Sequence, residues 1–129
     1  RFRDDFNNTK AQEVEAVMNA GQVRQFSKMV EGIYIKDDIL DYIAELIYNT
    51  RNHGDLFLGA SPRASLSISK ASKALAAVRG RDFVTPDDVK FVLKPVLNHR
   101  IILSPDKELE GMEPEDVVDD IVQKVEVPR

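Results

Sequence analysis

Apolar side chains recur every three or four positions along most of the chain, and this period predicts helices rather than strands. The strongest predicted helix begins at Asp37 or Asp38, either of which can cap it, and ends near Asn52. Its apolar stripe consists of Ile39, Ile43, Leu46 and Ile47. Because these positions share one side of a helix, that side is predicted to lie in the core.

Two shorter helices are predicted before it, over residues 12–18 and 23–30, with a break between them at Ala20 and Gly21. Residues 33–35, Ile-Tyr-Ile, form a β-like stub that is too short to make a sheet of its own. The first third of the chain is therefore predicted to contain almost no β-structure.

A loop with two glycines, over residues 52–60, leads into the next predicted helix. Ser61 is predicted to cap this helix, Pro62 suits its first position because proline has no N–H to leave unpaired, and Gly80 ends it. Its core face is predicted to comprise Ala64, Ile68, Ala71, Leu75 and Val78. The opposite flank holds small side chains, which allow another helix to approach closely: Ser65, Ser69, Ser72 and Ala76.

The sequence Thr85-Pro86-Asp87-Asp88 predicts another helix start, with a capping threonine, a first-turn proline and two acids at the positive helix end. Its inner face is predicted to hold Val89, Val92, Leu93 and Val96. Residues 104–113 are polar and predicted to be a loop, and residues 115–125 form the last helix. The fold predicted from these patterns is all-α, a compact bundle of five to six helices with at most very short β-like stubs.

Composition narrows the class of protein. The chain has 129 residues and is 43% hydrophobic, which is enough for one domain with a real core. It has no cysteine, and His53 and His99 lack further ligands at metal-binding spacing, so we expect no disulfide and no metal site. There is no signal peptide and no long apolar run, which predicts a cytoplasmic chain without membrane insertion.

The net charge of −4 argues against nucleic-acid binding, because neutralising phosphates requires a basic surface. The charge is nevertheless unevenly distributed along the chain. Residues 61–80 contain four basic side chains and no acidic one, so the remainder carries −8. This basic helix is more informative than the total charge.

Two short motifs resemble catalytic sequences but lack essential parts. Residues 54–61 have the glycine spacing of a P-loop, yet Ala60 stands where a lysine must reach the phosphates, and a helix precedes them instead of a strand. Ser67 and Lys70 fit the S-x-x-K pattern of acyl-serine hydrolases, whose partner motifs are missing. With no Walker A or Walker B motif, the chain is not expected to hydrolyse ATP by itself.

Arg63 is the strongest candidate for a functional residue. It lies in the first turn of the helix that starts at Ser61, where a cation costs about 0.3–1 kcal/mol. A guanidinium and the free amides of a helix start together form a good receptor for phosphate. Lys70 shares the flank of Arg63, and Leu66 points away from the core as a candidate interface residue. The alternative is that Arg63 is only a surface arginine.

Several stretches, in order along nearly the whole chain, resemble the C-terminal lid domain of MoxR-type AAA+ ATPases. They are residues 42–51, 58–65, 80–89, 96–100 and 125–129. The run Gly-Ala-Ser-Pro-Arg-Ala-Ser at residues 59–65 is long enough to be quite specific. By this resemblance, residues 1–10 are a connector from an ATPase core domain, and residues 11–129 are the helical lid domain.

In that family the arginine of the Ser-Pro-Arg run is the sensor 2 residue, which contacts the γ-phosphate of ATP. The resemblance therefore implies that Arg63 binds ATP, that Ser61 and Pro62 form the helix start that places it, and that the magnesium ligands belong to the core. It also implies partners: the core domain of the same chain, neighbouring subunits of a hexameric ring, and client proteins with von Willebrand factor A domains. The implied activity is chaperone-like remodelling or maturation of those clients.

Two alternatives unrelated to ATP remain open. A helix-turn-helix DNA-binding module would use the basic helix from Ser61 as its reader, although acidic surroundings and few base-reading side chains speak against it. A helical protein-interaction module, histone-fold-like at residues 84–88, is the other.

Overall fold

A computed structural model describes residues 15–128 of the protein. Within that range there are six helices: α1 (Ala20–Glu31), α2 (Asp37–Arg51), α3 (Arg63–Val78), α4 (Pro86–Leu97), α5 (Pro105–Leu109) and α6 (Pro114–Lys124). Two short strands, β1 (Leu56–Leu58) after α2 and β2 (Ile102–Leu103) after α4, complete the elements. The prediction of a helical bundle with very short β-like stubs is confirmed. None of these helices is both long and apolar enough to cross a membrane.

The core lies among α2, α3, α4 and α6, and α3 packs against α1, α2 and α4. The stripe predicted for α2 is buried in full, because its i, i+4, i+7 and i+8 spacing keeps it on one side of the helix. Two other helices add buried side chains from their inner faces: Val89, Val92, Leu93 and Leu97 from α4, and Val117, Val118 and Ile121 from α6.

The buried face of α3 is rotated relative to the prediction. Val78, predicted to lie in the core, is 85% exposed, and Ala71 and Leu75 are only half-buried. The fully buried positions are Ala64, Ile68, Ser72 and Ala76. Ser72 and Ala76 belong to the flank of small side chains, whose size allows α3 to pack closely against its neighbours.

The start of the helical region differs from the prediction. Ala20 and Gly21 form the first turn of α1 instead of a break, because Asn19 caps this helix: the Gln22 N–H donates to Asn19 Oδ1 and the Asn19 N–H donates to Gln22 Oε1, both at 2.9 Å. Residues 15–19 contain no helix, so the prediction over residues 12–18 was wrong where it can be compared. Its first three residues and the predicted connector, residues 1–10, lie outside the described residues.

Three other element boundaries can be compared. Lys36, not an aspartate, precedes α2, and both aspartates lie in its first turn, where the positive helix end favours them. The predicted loop over residues 104–113 contains α5, which begins at Pro105, a residue preorganised for a first helical position. The start of α4 at Pro86 is confirmed.

The extended segments make two small contacts. β1 and β2 pair antiparallel, with Leu56 opposite Leu103 and Leu58 opposite Ile102. The stub at residues 33–35 forms a single parallel bridge between Tyr34 and Phe83, as expected for a segment too short for a sheet.

Candidate functional site

Arg63 is the first residue of α3, and its side chain is exposed. Within residues 15–128 it has neither an ion-pair partner nor a side-chain hydrogen bond. Helix α3 carries three basic side chains and no acidic one. The structure therefore leaves an unneutralised guanidinium at the positive end of a helix, where a negatively charged ligand is electrostatically favoured.

The first turn of α3 is more tightly closed than the sequence predicted. The Ala64 N–H donates to the Ser61 carbonyl at 2.8 Å, and the Ser65 N–H donates to the Pro62 carbonyl at 3.1 Å. Pro62 already has helical dihedral angles, φ −55° and ψ −26°, and offers no N–H. The amide of Arg63 is thus the one free donor of this turn among the described residues, rather than one of several.

The predicted side-chain cap by Ser61 was wrong. Its hydroxyl is exposed and forms no hydrogen bond to the first turn within the described part of the chain. The physical reason is that the Ser61 carbonyl, through a tight i to i+3 bond, already satisfies the amide that a capping hydroxyl would take. Ser61 and Pro62 therefore set the start of α3 through their backbone.

Thr50, near the end of α2, anchors the loop that leads to Arg63. Its hydroxyl donates to the Ile47 carbonyl at 2.7 Å and accepts the N–H of Ala60 at 3.0 Å. Thr50 and Ala60 are both buried, so this hydroxyl satisfies a buried amide that would otherwise be costly. The loop is consequently held to α2 three residues before Arg63.

Gly59 fits the same junction because it has no side chain. A Cβ at this position would lie 2.6 Å from Arg51 Cα and 2.7 Å from Arg51 N, and closer still to the Thr50 carbonyl oxygen. Those atoms are backbone atoms of a helix and cannot move aside. The glycine is therefore required by close approach between loop and helix, whereas a Cβ at Gly54 would meet nothing within 4 Å.

A cleft of about 560 Å³ opens between α2 and the start of α3. Tyr48 and Arg51 line it from α2, and Pro62 and Ser65 line it from α3. Tyr48 and Arg51 are exposed, and Arg51 has no ion pair within residues 15–128. This pair was not predicted as a site from the sequence. The i, i+3 spacing of the two residues, which places them side by side on the outer face of α2, could have indicated it.

A second polar cluster joins the far end of α3 to the start of α4. Asp88, which is completely buried, accepts hydrogen bonds from Arg81 at 2.6 and 2.7 Å and from Arg79 at 2.9 Å. The amide and hydroxyl of Thr85 also donate to it, each at 2.9 Å. Burial alone would raise the pKa of Asp88, but the hydrogen bonds from Arg81 and Thr85 outweigh it and lower that pKa to about 2. Both oxygens of Asp88 accept hydrogen bonds within the protein, so this carboxylate has a structural role in joining α3 to α4.

The histidines lie apart, as their separation in the sequence suggests. His53 Nε2 lies 2.9 Å from Asp120 Oδ2, and its Nδ1 accepts the Asp55 N–H at 3.3 Å, so this ring ties the end of α2 to α6. His99 is exposed. Residues 15–128 contain no group of three or more metal-binding side chains close enough to hold an ion.

Comparisons with known proteins agree with this helical architecture. The family model described as the AAA lid domain matches residues 48–121. The chain is 32% identical over 126 residues to the chaperone MoxR1 of Mycobacterium tuberculosis, covering 91% of this chain and 33% of that protein. It is 38% identical over 99 residues to YeaC of Bacillus subtilis, covering 77% of this chain and 31% of that protein.

A solved structure has the same fold over nearly the whole chain. The crystal structure of a Cytophaga hutchinsonii protein assigned as an ATPase superposes with a TM-score of 0.85 at 28% identity, covering 99% of this chain and 42% of that one. The chain thus spans about a third of the curated relatives it matches most fully. The residues matched by the family model run from Tyr48 in α2 to Ile121 in α6 and include Arg63. The chain belongs to the AAA lid domain family and is similar to the corresponding part of MoxR proteins.

Proposed function

We propose that Arg63 is the sensor 2 residue of this lid and contacts the γ-phosphate of ATP bound to an ATPase core. The supporting observation is its placement: an exposed guanidinium without a partner among the described residues, at the start of α3. A planar guanidinium suits phosphate better than a lysine does, because it donates two parallel hydrogen bonds. The ligands of magnesium would belong to the core domain, and the ion would neutralise charge on the phosphates.

The lid then contributes to ATP hydrolysis without providing covalent chemistry. An arginine that reaches the γ-phosphate stabilises the charge that develops during phosphoryl transfer, and closing the lid excludes water from the reacting groups. The core domain of the same polypeptide would supply the remaining catalytic groups. In this proposal the parent protein is a cytoplasmic ATPase that assembles into a hexameric ring.

The work done by such a ring would be chaperone-like remodelling or maturation of client proteins. The similarity to the chaperone MoxR1 of Mycobacterium tuberculosis supports this activity. That some of these client proteins carry von Willebrand factor A domains is proposed from the family resemblance alone. A DNA-binding role for α3 is less favoured, because the chain has a net charge of −4 and α3 has few side chains that could read bases.

The test is ATP turnover by the full-length parent protein with Arg63→Ala. We expect turnover to fall by at least about tenfold, because charged donors at the γ-phosphate contribute orders of magnitude. Arg63→Lys should rescue little of it, since an ammonium cannot reproduce the planar fork. The lid should remain as stable as before, because the removed side chain is exposed.

Lys70→Ala is the matched control, because Lys70 is an exposed cation on the same helix two turns further along. Its turnover should equal that of the unchanged protein. Full turnover by Arg63→Ala in an intact ring would show that Arg63 is only a surface arginine. Unfolding of that variant would show that the residue supports the fold, and would equally refute the sensor 2 assignment.

A further inference from the structure

An apolar groove lies between α1 and α3, and none of the residues that line it lines the cleft at Pro62. Its volume is about 800 Å³, and its lining is mostly apolar. Val23 and Phe26 form the wall from α1, Leu66 forms the wall from α3, and Leu40 closes one end. These four side chains are between 39% and 63% exposed, which is unusual for large apolar side chains on one continuous surface.

Helix α1 supplies a second observation. Although it is amphipathic and twelve residues long, none of its residues is buried. An amphipathic helix normally covers its apolar face, because that burial provides most of its stability in water. The apolar side of α1 is therefore only partly covered by α3 and leaves room for another element.

The groove is bordered by positive charge although the protein is acidic. The charged residues that line the groove are two lysines, Lys70 and Lys73, and one acid, Glu31, a net charge of +1, whereas the whole chain has −4. Lys70 and Lys73 stand on the rim. Within residues 15–128 neither of them forms a salt bridge, and the one hydrogen bond of Lys73 goes to the Glu31 carbonyl oxygen, 3.1 Å away.

We infer that this groove binds an amphipathic helix of a protein partner, with an apolar stripe against Phe26 and Leu66 and acidic side chains facing Lys70 and Lys73. A groove with helical walls and a mostly apolar lining suits the docking of a helix, whose side chains at i, i+3, i+4 and i+7 enter the groove. The positive rim selects acidic flanks and rejects basic ones. The inference goes beyond the nucleotide site, since Ser61, Pro62 and Arg63 do not line the groove.

The test uses two synthetic helical peptides, each about 18 residues long so that the isolated helix is appreciably populated. Both have the same leucine stripe; one has glutamates along its flanks and the other has lysines. Binding to the 129-residue chain is followed by fluorescence anisotropy at about 0.1 M salt. We expect the glutamate peptide to bind at least about tenfold more tightly than the lysine peptide.

Three variants locate the contact. Leu66→Asp should abolish binding of the glutamate peptide, and the double variant Lys70→Glu, Lys73→Glu should reverse the preference between the two peptides. Phe57→Asp is the control, because Phe57 is an apolar residue on β1 that is 76% exposed, against 63% for Leu66, and lies outside the groove. Thermal melts of all variants verify that they fold, as expected for changes at exposed or half-exposed positions.

Equal binding of the two peptides, or none, would overturn the inference. So would binding that survives Leu66→Asp. Self-association of the chain without any peptide, seen by sedimentation and lost in Leu66→Asp, would assign the groove to a second copy instead. All these readouts are independent of ATP, so a failure here leaves the Arg63 proposal standing, and a failure at Arg63 leaves the groove standing.

Discussion

Acid should destabilise this protein partly through one carboxylate, that of Asp88. The group is completely buried and accepts hydrogen bonds from two arginines and from Thr85. Its pKa of about 2 in the folded protein lies below the ordinary value of 3.8. Because the folded-state pKa is the lower one, the stabilisation is complete above the unfolded pKa and is lost as the pH falls towards 2.

The size of this effect follows from the pKa difference. A shift from 3.8 to about 2 corresponds to about 2 kcal/mol of unfolding free energy, lost between about pH 5 and pH 2. Asp88→Asn removes the charge at every pH and leaves Arg79 and Arg81 facing a neutral amide. Since those side chains are 41% and 25% exposed, the cost at pH 7 should be about 2–3 kcal/mol, below that of a fully buried pair.

Urea titrations at pH 7, 5, 3 and 2.5, followed by circular dichroism, measure the difference in stability between the natural protein and Asp88→Asn. That difference should be largest at pH 7 and should shrink by about 2 kcal/mol towards pH 2. Asp87→Asn is the matched control: its side chain is 85% exposed in the same helical turn, so its difference should stay within about 0.5 kcal/mol. A difference for Asp88→Asn that does not change with pH would refute the assignment of the low pKa to this group.

Three further predictions concern the loop before α3 and the starts of α3 and α4. Gly59→Ala should destabilise the protein by about 1–3 kcal/mol or more, because its methyl group meets the backbone of α2, and Gly54→Ala should not; equal melting temperatures would contradict this. Thr85→Ala should cost about 0.5–2 kcal/mol in denaturant titrations, because its hydroxyl bonds to the carboxylate of α4. Ser61→Ala should leave the midpoint unchanged, and a drop would show that its hydroxyl does cap α3.

The parts of the fold that could be predicted from the sequence depend on local periodicity. The stripe of α2 is an example, because four large apolar residues at helical spacing determine which side of the helix is buried. The start of α4 is another, because threonine, proline and aspartate each favour the same helix boundary. The start of α3 fell within two residues of the prediction for the same reason.

The parts that could not be predicted depend on residues far apart in the chain. The pairing of β1 with β2 joins segments too short to show alternation, so their register has no local signal. On α3, alanines and serines are equally acceptable inside or outside, and only packing against other helices decided that Ser72 is buried and Val78 is not. Nothing in the sequence around Thr50 distinguishes its hydroxyl from other polar groups of a helix. Its role depends on the amide of Ala60, which only the folded structure brings within hydrogen-bonding distance.

Both ends of α3 are fixed to neighbouring helices. At its start, Gly59 and Ala60 are held against the backbone and hydroxyl of α2. At its other end, Arg79 and Arg81 donate hydrogen bonds to the buried carboxylate of Asp88 at the start of α4. Between these two junctions, the buried face of α3 packs against its neighbours. If Arg63 binds a phosphate as proposed, we therefore expect α2, α3 and α4 to move together, with the hinge for lid closure outside residues 37–97.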